Sequence, residues 1–158
     1  MYMRIKTLFG IALLFAVLGL LNAGFVYVRV QSGGPLPCFV VSGCDVVQAS
    51  SYAYLFGVPL SLWGALYYAL IAFSSLFLFI ISSRAEWNIR YIHILRAWFL
   101  LVAFGFLFSW YLFALQAFII GAFCSSCLFS LIDVIFITAS AIVVRRRTRI
   151  GVPGISKP

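Results

Sequence analysis

Four cysteines in two close pairs are the residues of this chain whose type and spacing could do chemistry. Cys38 and Cys44 lie six residues apart, and Cys124 and Cys127 enclose two serines in a Cys-Ser-Ser-Cys motif. Two such pairs can exchange a disulfide, because a thiolate of one pair attacks the disulfide of the other. The pattern predicts a two-electron relay, provided that both pairs lie on the same side of the elements that carry them.

The elements that must position the cysteines are membrane-spanning helices. Of the 158 residues, 65% are hydrophobic and only 9% are charged, a composition that excludes a soluble globular domain. A helix of about 20 apolar residues crosses a hydrocarbon core of about 30 Å. We therefore predict an all-α membrane protein, a single four-helix transmembrane domain over residues 1–158, with spans at 8–28, 57–81, 94–116 and 124–144.

The basic residues predict the orientation of these spans. Ten of the eleven Lys and Arg residues precede the first span, flank the connection between the second and third, or follow the fourth; the exception is Arg29. Cytoplasmic segments carry such an excess, so we expect both termini, including the tail 145–158, in the cytoplasm. The net charge of +8 is then a topology signal and not a nucleic-acid-binding surface.

The same orientation places all four cysteines on the extracytoplasmic face, where disulfides persist. The first pair lies in a redox loop over 29–56, and the second pair lies in the short turn before the fourth span. Gly43 permits a tight bend between Cys38 and Cys44. Helical spacing of apolar residues over 45–55, with Asp45 favouring a helix N-terminus, predicts a short amphipathic helix on the membrane surface; an irregular loop is the alternative.

The second pair begins the fourth helix, which is a reactive position. The partial positive charge of a helix N-terminus stabilises a thiolate, and a thiol of lowered pKa is also a better leaving group. Two alternatives are a four-cysteine zinc site and a non-catalytic membrane scaffold with structural disulfides. No His, Asp or Glu cluster supports a metal, and a bridge between Cys124 and Cys127 would gain little chain entropy, so we favour redox chemistry without a metal.

A wider set of residues accompanies the cysteines from about residue 37 to the end of the fourth span. After Cys38 and Cys44 come Val47, Ser50, Tyr52-Ala53, Phe56-Gly57-Val58-Pro59 and Trp63-Gly64, and later Phe123-Cys124-Ser125-Ser126-Cys127. In this combination the chain resembles the bacterial or archaeal form of the vitamin K epoxide reductase family. The functionally similar DsbB proteins differ, because their Cys-x-x-Cys motif lies in the first outer loop.

The resemblance implies a thiol oxidoreductase in a prokaryotic inner membrane that supports disulfide-bond formation. Cys38 would form a mixed disulfide with a thioredoxin-like protein of the DsbA type, and Cys44 would pass the electrons to Cys124. Cys127 would lie nearest to a membrane quinone of the ubiquinone, menaquinone or vitamin K type. Some relatives carry a fused thioredoxin-like domain, whereas the short tail here cannot fold alone, so we expect a separate partner protein.

The resemblance also implies a quinone pocket with altered contacts. Trp63 and Tyr67 match aromatic pocket positions and are candidate quinone-binding residues; ordinary helix packing is their alternative role. In animal members an Asn and a Tyr contact the quinone, and Leu60 and Leu131 occupy those two positions here. The head-group contacts of this chain are therefore expected to differ from those of its animal relatives.

Two polar residues complete the predicted site. Ser50 matches a family serine near the loop cysteines, where it would hydrogen-bond a thiolate; a serine on the surface helix is the alternative. Asp133 is an acid within the fourth span, and charges inside a membrane are costly unless they are used or satisfied. We expect Asp133 to face the bundle, either as a neutral acid hydrogen-bonded by its neighbours or as a proton donor during quinone reduction.

Overall fold

Long helices account for most of the computed structural model, which describes residues 2–36, 38, 43–82 and 89–150. Four of them are apolar and long enough to cross a membrane, so the predicted four-helix membrane fold is confirmed. The predicted cytoplasmic residues Arg84 and Lys157 lie outside the described residues. The helices are α1 (Tyr2–Gln31), the short α2 (Cys44–Ala49), α3 (Leu60–Ile81), α4 (Ile89–Leu115) and α5 (Ser125–Ile150).

The second span begins at Leu60 and not at residue 57, because a small hairpin occupies the preceding residues. Strand β1 (Tyr54–Leu55) pairs antiparallel with β2 (Val58–Pro59). The turn residues Phe56 and Gly57 have positive φ angles of 55° and 77°, the conformation that two-residue hairpin turns require. The helix predicted over 45–55 is likewise shorter, since α2 is followed by a 3₁₀ turn (Ser51–Ala53) before the hairpin.

Helix α1 is at the centre of the packing and contacts both α3 and α5 extensively. Small residues on α1, including Ala12 and Ala16, are fully buried and let the neighbouring backbones approach closely. Gly19 extends this face, and a Cβ atom there would overlap the ring of Tyr68 on α3. By contrast, α3 and α4 contact each other much less, and a space remains between them.

Several polar side chains inside the bundle form hydrogen bonds between helices, where no water is present to satisfy them. The indole N–H of Trp98 on α4 donates to the hydroxyl of Ser75 on α3, with 3.0 Å between the atoms. Asn22 on α1 donates to the carbonyl of Ser126, at 2.9 Å, and to the hydroxyl of Ser130, at 3.2 Å, both on α5. These hydrogen bonds fix how the helices are rotated against one another.

Candidate active site

All four cysteines belong to one cluster at one end of the bundle. Cys38 and Cys44 are joined by a disulfide, with their Cα atoms 6.1 Å apart, whereas Cys124 and Cys127 are free thiols. Cys44 and Cys124 have no exposed surface, and Cys38 is only partly buried. The outer pair is therefore oxidised, the inner pair is reduced, and Cys38 is the member of the outer pair that a second protein can reach.

Two hydrogen bonds close the redox loop on itself around Cys38 and Cys44, and Gly43 lets it approach the inner pair. The Cys44 N–H donates to the sulfur of Cys38 at 3.1 Å, and the Leu36 N–H donates to the Asp45 carboxylate at 3.3 Å. Gly43 has φ −96°, which any residue can adopt, so a tight bend does not require glycine there. Its Cβ would lie 2.7 Å from the Phe123 carbonyl oxygen, and the absent side chain therefore allows the loop to lie directly on the segment before Cys124.

Cys124 occupies the position just before α5, and its sulfur caps the helix. The Cys127 thiol hydrogen-bonds this sulfur, the backbone N–H groups of Cys127 and Ser126 point at it, and the Gln48 side chain reaches it from α2. These donors outweigh burial and lower the pKa of the Cys124 thiol from 9.0 to about 6. Near neutral pH, Cys124 is therefore the thiolate of the inner pair and a good leaving group.

Gln116 joins the two ends of the Cys-Ser-Ser-Cys motif. It begins a π-helical turn (Gln116–Ile120) that follows α4 and ends at Gly121, whose φ is 68°. The Gln116 side-chain oxygen accepts the Cys124 N–H at 2.9 Å, and its amide nitrogen donates to the Cys127 sulfur. In many helices a Glu or Gln side chain at the third helical position accepts the N–H of the capping residue. The third residue of α5 is Cys127, so the side chain of Gln116, directly after α4, accepts the Cys124 N–H instead.

Gln48 and Gln116 are residues of the candidate site that the sequence analysis missed. Neither belongs to the motifs that carry the family resemblance. A signal for Gln116 existed, because an amide near the end of an apolar span is expensive and has to find a partner. For Gln48 the only signal is its place one turn after Cys44 on a predicted helix.

Replacing Gln116 with leucine should destabilise the protein by about 1–3 kcal/mol, because the buried Cys124 N–H loses its acceptor. The measurement is the free energy of unfolding in detergent with both cysteine pairs in defined redox states. Gln31→Leu is the matched control, since Gln31 is exposed and donates to the Tyr27 hydroxyl on its own helix, and it should cost less than about 0.5 kcal/mol. Equal stability of the two variants would contradict the capping role of Gln116.

A cavity of about 670 Å³ lies beneath the cysteines, between α3 and α4. Its wall is mostly apolar and includes Cys127, but Cys124 does not reach it. Leu60 and Leu131, the positions at which animal relatives have polar residues, both line it, as do the predicted residues Trp63 and Tyr67. The structure thus brings Trp63, Tyr67 and Cys127 together around one space.

Two hydroxyl groups of the cavity wall lack a hydrogen-bond partner within the part of the chain that the structure describes. Among the described residues, the buried Tyr67 hydroxyl and Ser61 hydroxyl, both on α3, make no hydrogen bond. A buried hydroxyl without a partner is costly, and such groups commonly mark a place that a ligand occupies. Tyr67 lies against α4 at Gly105, where a Cβ atom would overlap its ring.

The other two predicted polar residues are placed differently. Ser50 lines the cavity, but its hydroxyl donates to the Val47 carbonyl at 2.6 Å and so closes the end of α2 instead of contacting a cysteine. Asp133 faces the bundle and is 7% exposed. It does not line the cavity, whose wall includes the next residue, Val134.

No group of three or more His, Cys, Asp or Glu side chains within residues 2–36, 38, 43–82 and 89–150 is arranged to hold a metal ion. The zinc interpretation therefore gains no support from the way in which the four cysteines are packed. Their arrangement instead suits thiol exchange, because one pair is bonded and the other pair is free beside it.

Comparison with known proteins agrees with this chemistry. A search of the curated proteins found no match. A scan of protein families matched residues 10–142, which include all four cysteines and most of the chain, to the vitamin K epoxide reductase family. Members of that family are membrane thiol–disulfide oxidoreductases. The chain therefore belongs to the vitamin K epoxide reductase family and is a membrane thiol–disulfide oxidoreductase.

Proposed function

We propose that this protein oxidises the dithiol of a separate thioredoxin-like, DsbA-type protein and delivers the two electrons to a membrane quinone. The observation that carries the proposal is the cluster in which an oxidised outer pair lies against a reduced inner pair, with Cys127 facing the cavity. A scaffold with two structural disulfides fits less well, because Cys124 and Cys127 are free.

The exposure of the cysteines supports an order of thiol exchange. A partner thiolate attacks Cys38, the accessible sulfur, and releases Cys44; the second partner thiol then resolves the mixed disulfide. Cys44 attacks Cys124 in the inner disulfide and releases Cys127. Cys38 closes on Cys44 and releases Cys124, which yields the bonding pattern seen here, an outer disulfide and an inner dithiol.

The cavity fits a quinone as the acceptor substrate. Its apolar wall suits a hydrocarbon ring and tail, and the unpaired hydroxyls of Tyr67 and Ser61 can donate to carbonyl oxygens. A quinone held there would accept two electrons and two protons and become a quinol. Cys127 is the sulfur next to that space, while Gln116 and Gln48 hold the two inner sulfurs in place.

The distribution of charge supports an extracytoplasmic location for the relay in a prokaryotic inner membrane. Arg145, Arg146 and Arg147 lie in α5 at the end opposite to Cys124 and Cys127. With those arginines in the cytoplasm, the cysteine cluster faces the compartment in which secreted proteins acquire disulfides. The driving force fits as well, because a DsbA-type dithiol at about −120 mV needs an acceptor of higher potential than a glutathione pool.

Anaerobic mixing tests the proposed function. The purified protein in detergent is added to a reduced thioredoxin-like protein of the DsbA type and a quinone, and quinol is followed by its absorbance. We expect one quinol for each partner disulfide formed. Ubiquinone, menaquinone and vitamin K are compared in parallel, and failure to form quinol with all three would overturn the proposal.

A further inference from the structure

The Gln48 side chain brings an amide from the outer loop to the inner cysteine pair. Gln48 lies four residues after Cys44, and residues four apart share a helix face. On the inner side of α2, Cys44 and Val47 are buried and Gln48 is half-buried, whereas Asp45, Val46 and Ala49 are exposed. One short helix therefore presents to Cys124 both the sulfur that exchanges with it and a hydrogen-bond donor.

We infer that Gln48 is a catalytic residue of thiol exchange, which stabilises the negative charge on the Cys124 sulfur as that sulfur leaves Cys44. The inference rests on the order of exchange proposed above. In this step the Cys38 thiolate attacks Cys44, the Cys38–Cys44 bond forms and the Cys44–Cys124 bond breaks. The electron pair of the broken bond remains on Cys124 as a thiolate, so the step needs no external oxidant or reductant.

Burial makes such a donor necessary. Cys44 and Cys124 have no exposed surface, so water cannot solvate the thiolate that leaves. Fixed N–H donors must replace that water, and hydrogen bonds to a charged acceptor are the strong ones. The N–H groups of Ser126 and Cys127 belong to α5 and are always near Cys124. The Gln48 amide arrives with α2, and hence it is present when Cys44 is in place to exchange.

The test is a pH titration of the reduced inner pair, with the outer disulfide intact, in full-length protein in detergent. The ultraviolet absorbance of the thiolate reports the first ionisation of the inner pair. Because hydrogen bonds stabilise the Cys124 thiolate, we expect this ionisation at a pH of about 6 in the unmodified protein. In Gln48→Leu we expect this midpoint to rise by about one pH unit, because one donor to the thiolate is lost. Gln48→Glu has the same shape but places a carboxylate beside the sulfur, so its midpoint should rise at least as far.

Gln31→Leu is the matched control and should leave the midpoint unchanged. The other titratable and charged side chains on the elements around Cys124 stay the same in all three variants, among them Cys127, Cys38, Cys44, Asp45, Tyr27, Arg29 and Asp133. During turnover, both Gln48 variants should also accumulate the Cys44–Cys124 disulfide several-fold, which peptide mapping without reduction detects.

The inference and the proposed function fail in different ways. If neither Gln48 variant moves the midpoint while quinol still forms, the inference is overturned and the function stands. If no quinol forms with any quinone but the midpoint rises in both variants, the stabilisation of Cys124 stands and the acceptor is wrong. The isosteric Gln48→Glu variant keeps the test decisive if Gln48→Leu does not fold.

Discussion

Cys127→Ser should lower quinol formation by about a thousandfold or more, in line with the removal of a nucleophile from other enzymes. The inner pair can then no longer form a disulfide, so electrons that reach Cys124 cannot pass to the quinone. The Cys124 thiolate can still attack Cys44 in the outer disulfide and release Cys38, without net oxidation. We therefore expect the Cys44–Cys124 disulfide to accumulate, and quinol absorbance and non-reducing peptide mapping measure the two effects.

Cys38→Ser is the informative comparison for this loss. It keeps the inner dithiol intact but removes the sulfur that the partner reaches. A single equivalent of quinone should therefore be reduced by protein prepared with a reduced inner pair, while steady turnover with the partner is lost. Quinol formation by Cys127→Ser above the uncatalysed rate would contradict the role of Cys127.

Gly105→Ala should raise the KM for quinone by at least about tenfold, the equivalent of one hydrogen bond. The new methyl group would occupy the space of the Tyr67 ring, so the ring has to move from α4 into the cavity. Steady-state kinetics over a range of quinone concentrations measures the change. The thiol exchange between the two cysteine pairs should continue at its normal rate, because Gly105 precedes Gln116, which contacts the inner pair, by about 16 Å along the helix.

Gly24→Ala is the control for a methyl group added to a transmembrane helix. A Cβ atom at Gly24 meets nothing within 4 Å, so this variant should keep the normal KM. Tyr67→Phe leaves the ring in place and removes only the hydroxyl, and it should raise the KM several-fold if that hydroxyl donates to the quinone. An unchanged KM in both Gly105→Ala and Tyr67→Phe would remove Tyr67 from the quinone site.

The sequence predicts the helices well because hydropathy alone identifies them. An apolar run long enough to cross a bilayer has few other folds open to it, and four such runs are present. The start of the second span could not be predicted in the same way. Gly57, Val58 and Pro59 have no charged side chain that would mark the end of the apolar stretch, and strands of two residues are too short to show a period.

The candidate site could be predicted only as far as its motifs extend. The cysteines stand out by type and spacing, and Trp63 and Tyr67 follow from the family resemblance. Gln48 and Gln116 lie outside those motifs, because each is one ordinary residue whose role depends on a neighbour from another element. Such contacts between residues of different helices form only when the helices pack, so a single sequence does not reveal them.

The hydrogen bonds of Asn22 help to set the orientation of the inner cysteines at the start of α5. Lipid offers helices little hydrophobic preference for one rotation over another, so polar contacts set the rotation of each helix about its own axis. Asn22 holds the carbonyl of Ser126, a residue between the two inner cysteines. The first helix carries no cysteine, yet it determines the direction in which Cys124 meets the outer loop and Cys127 meets the cavity.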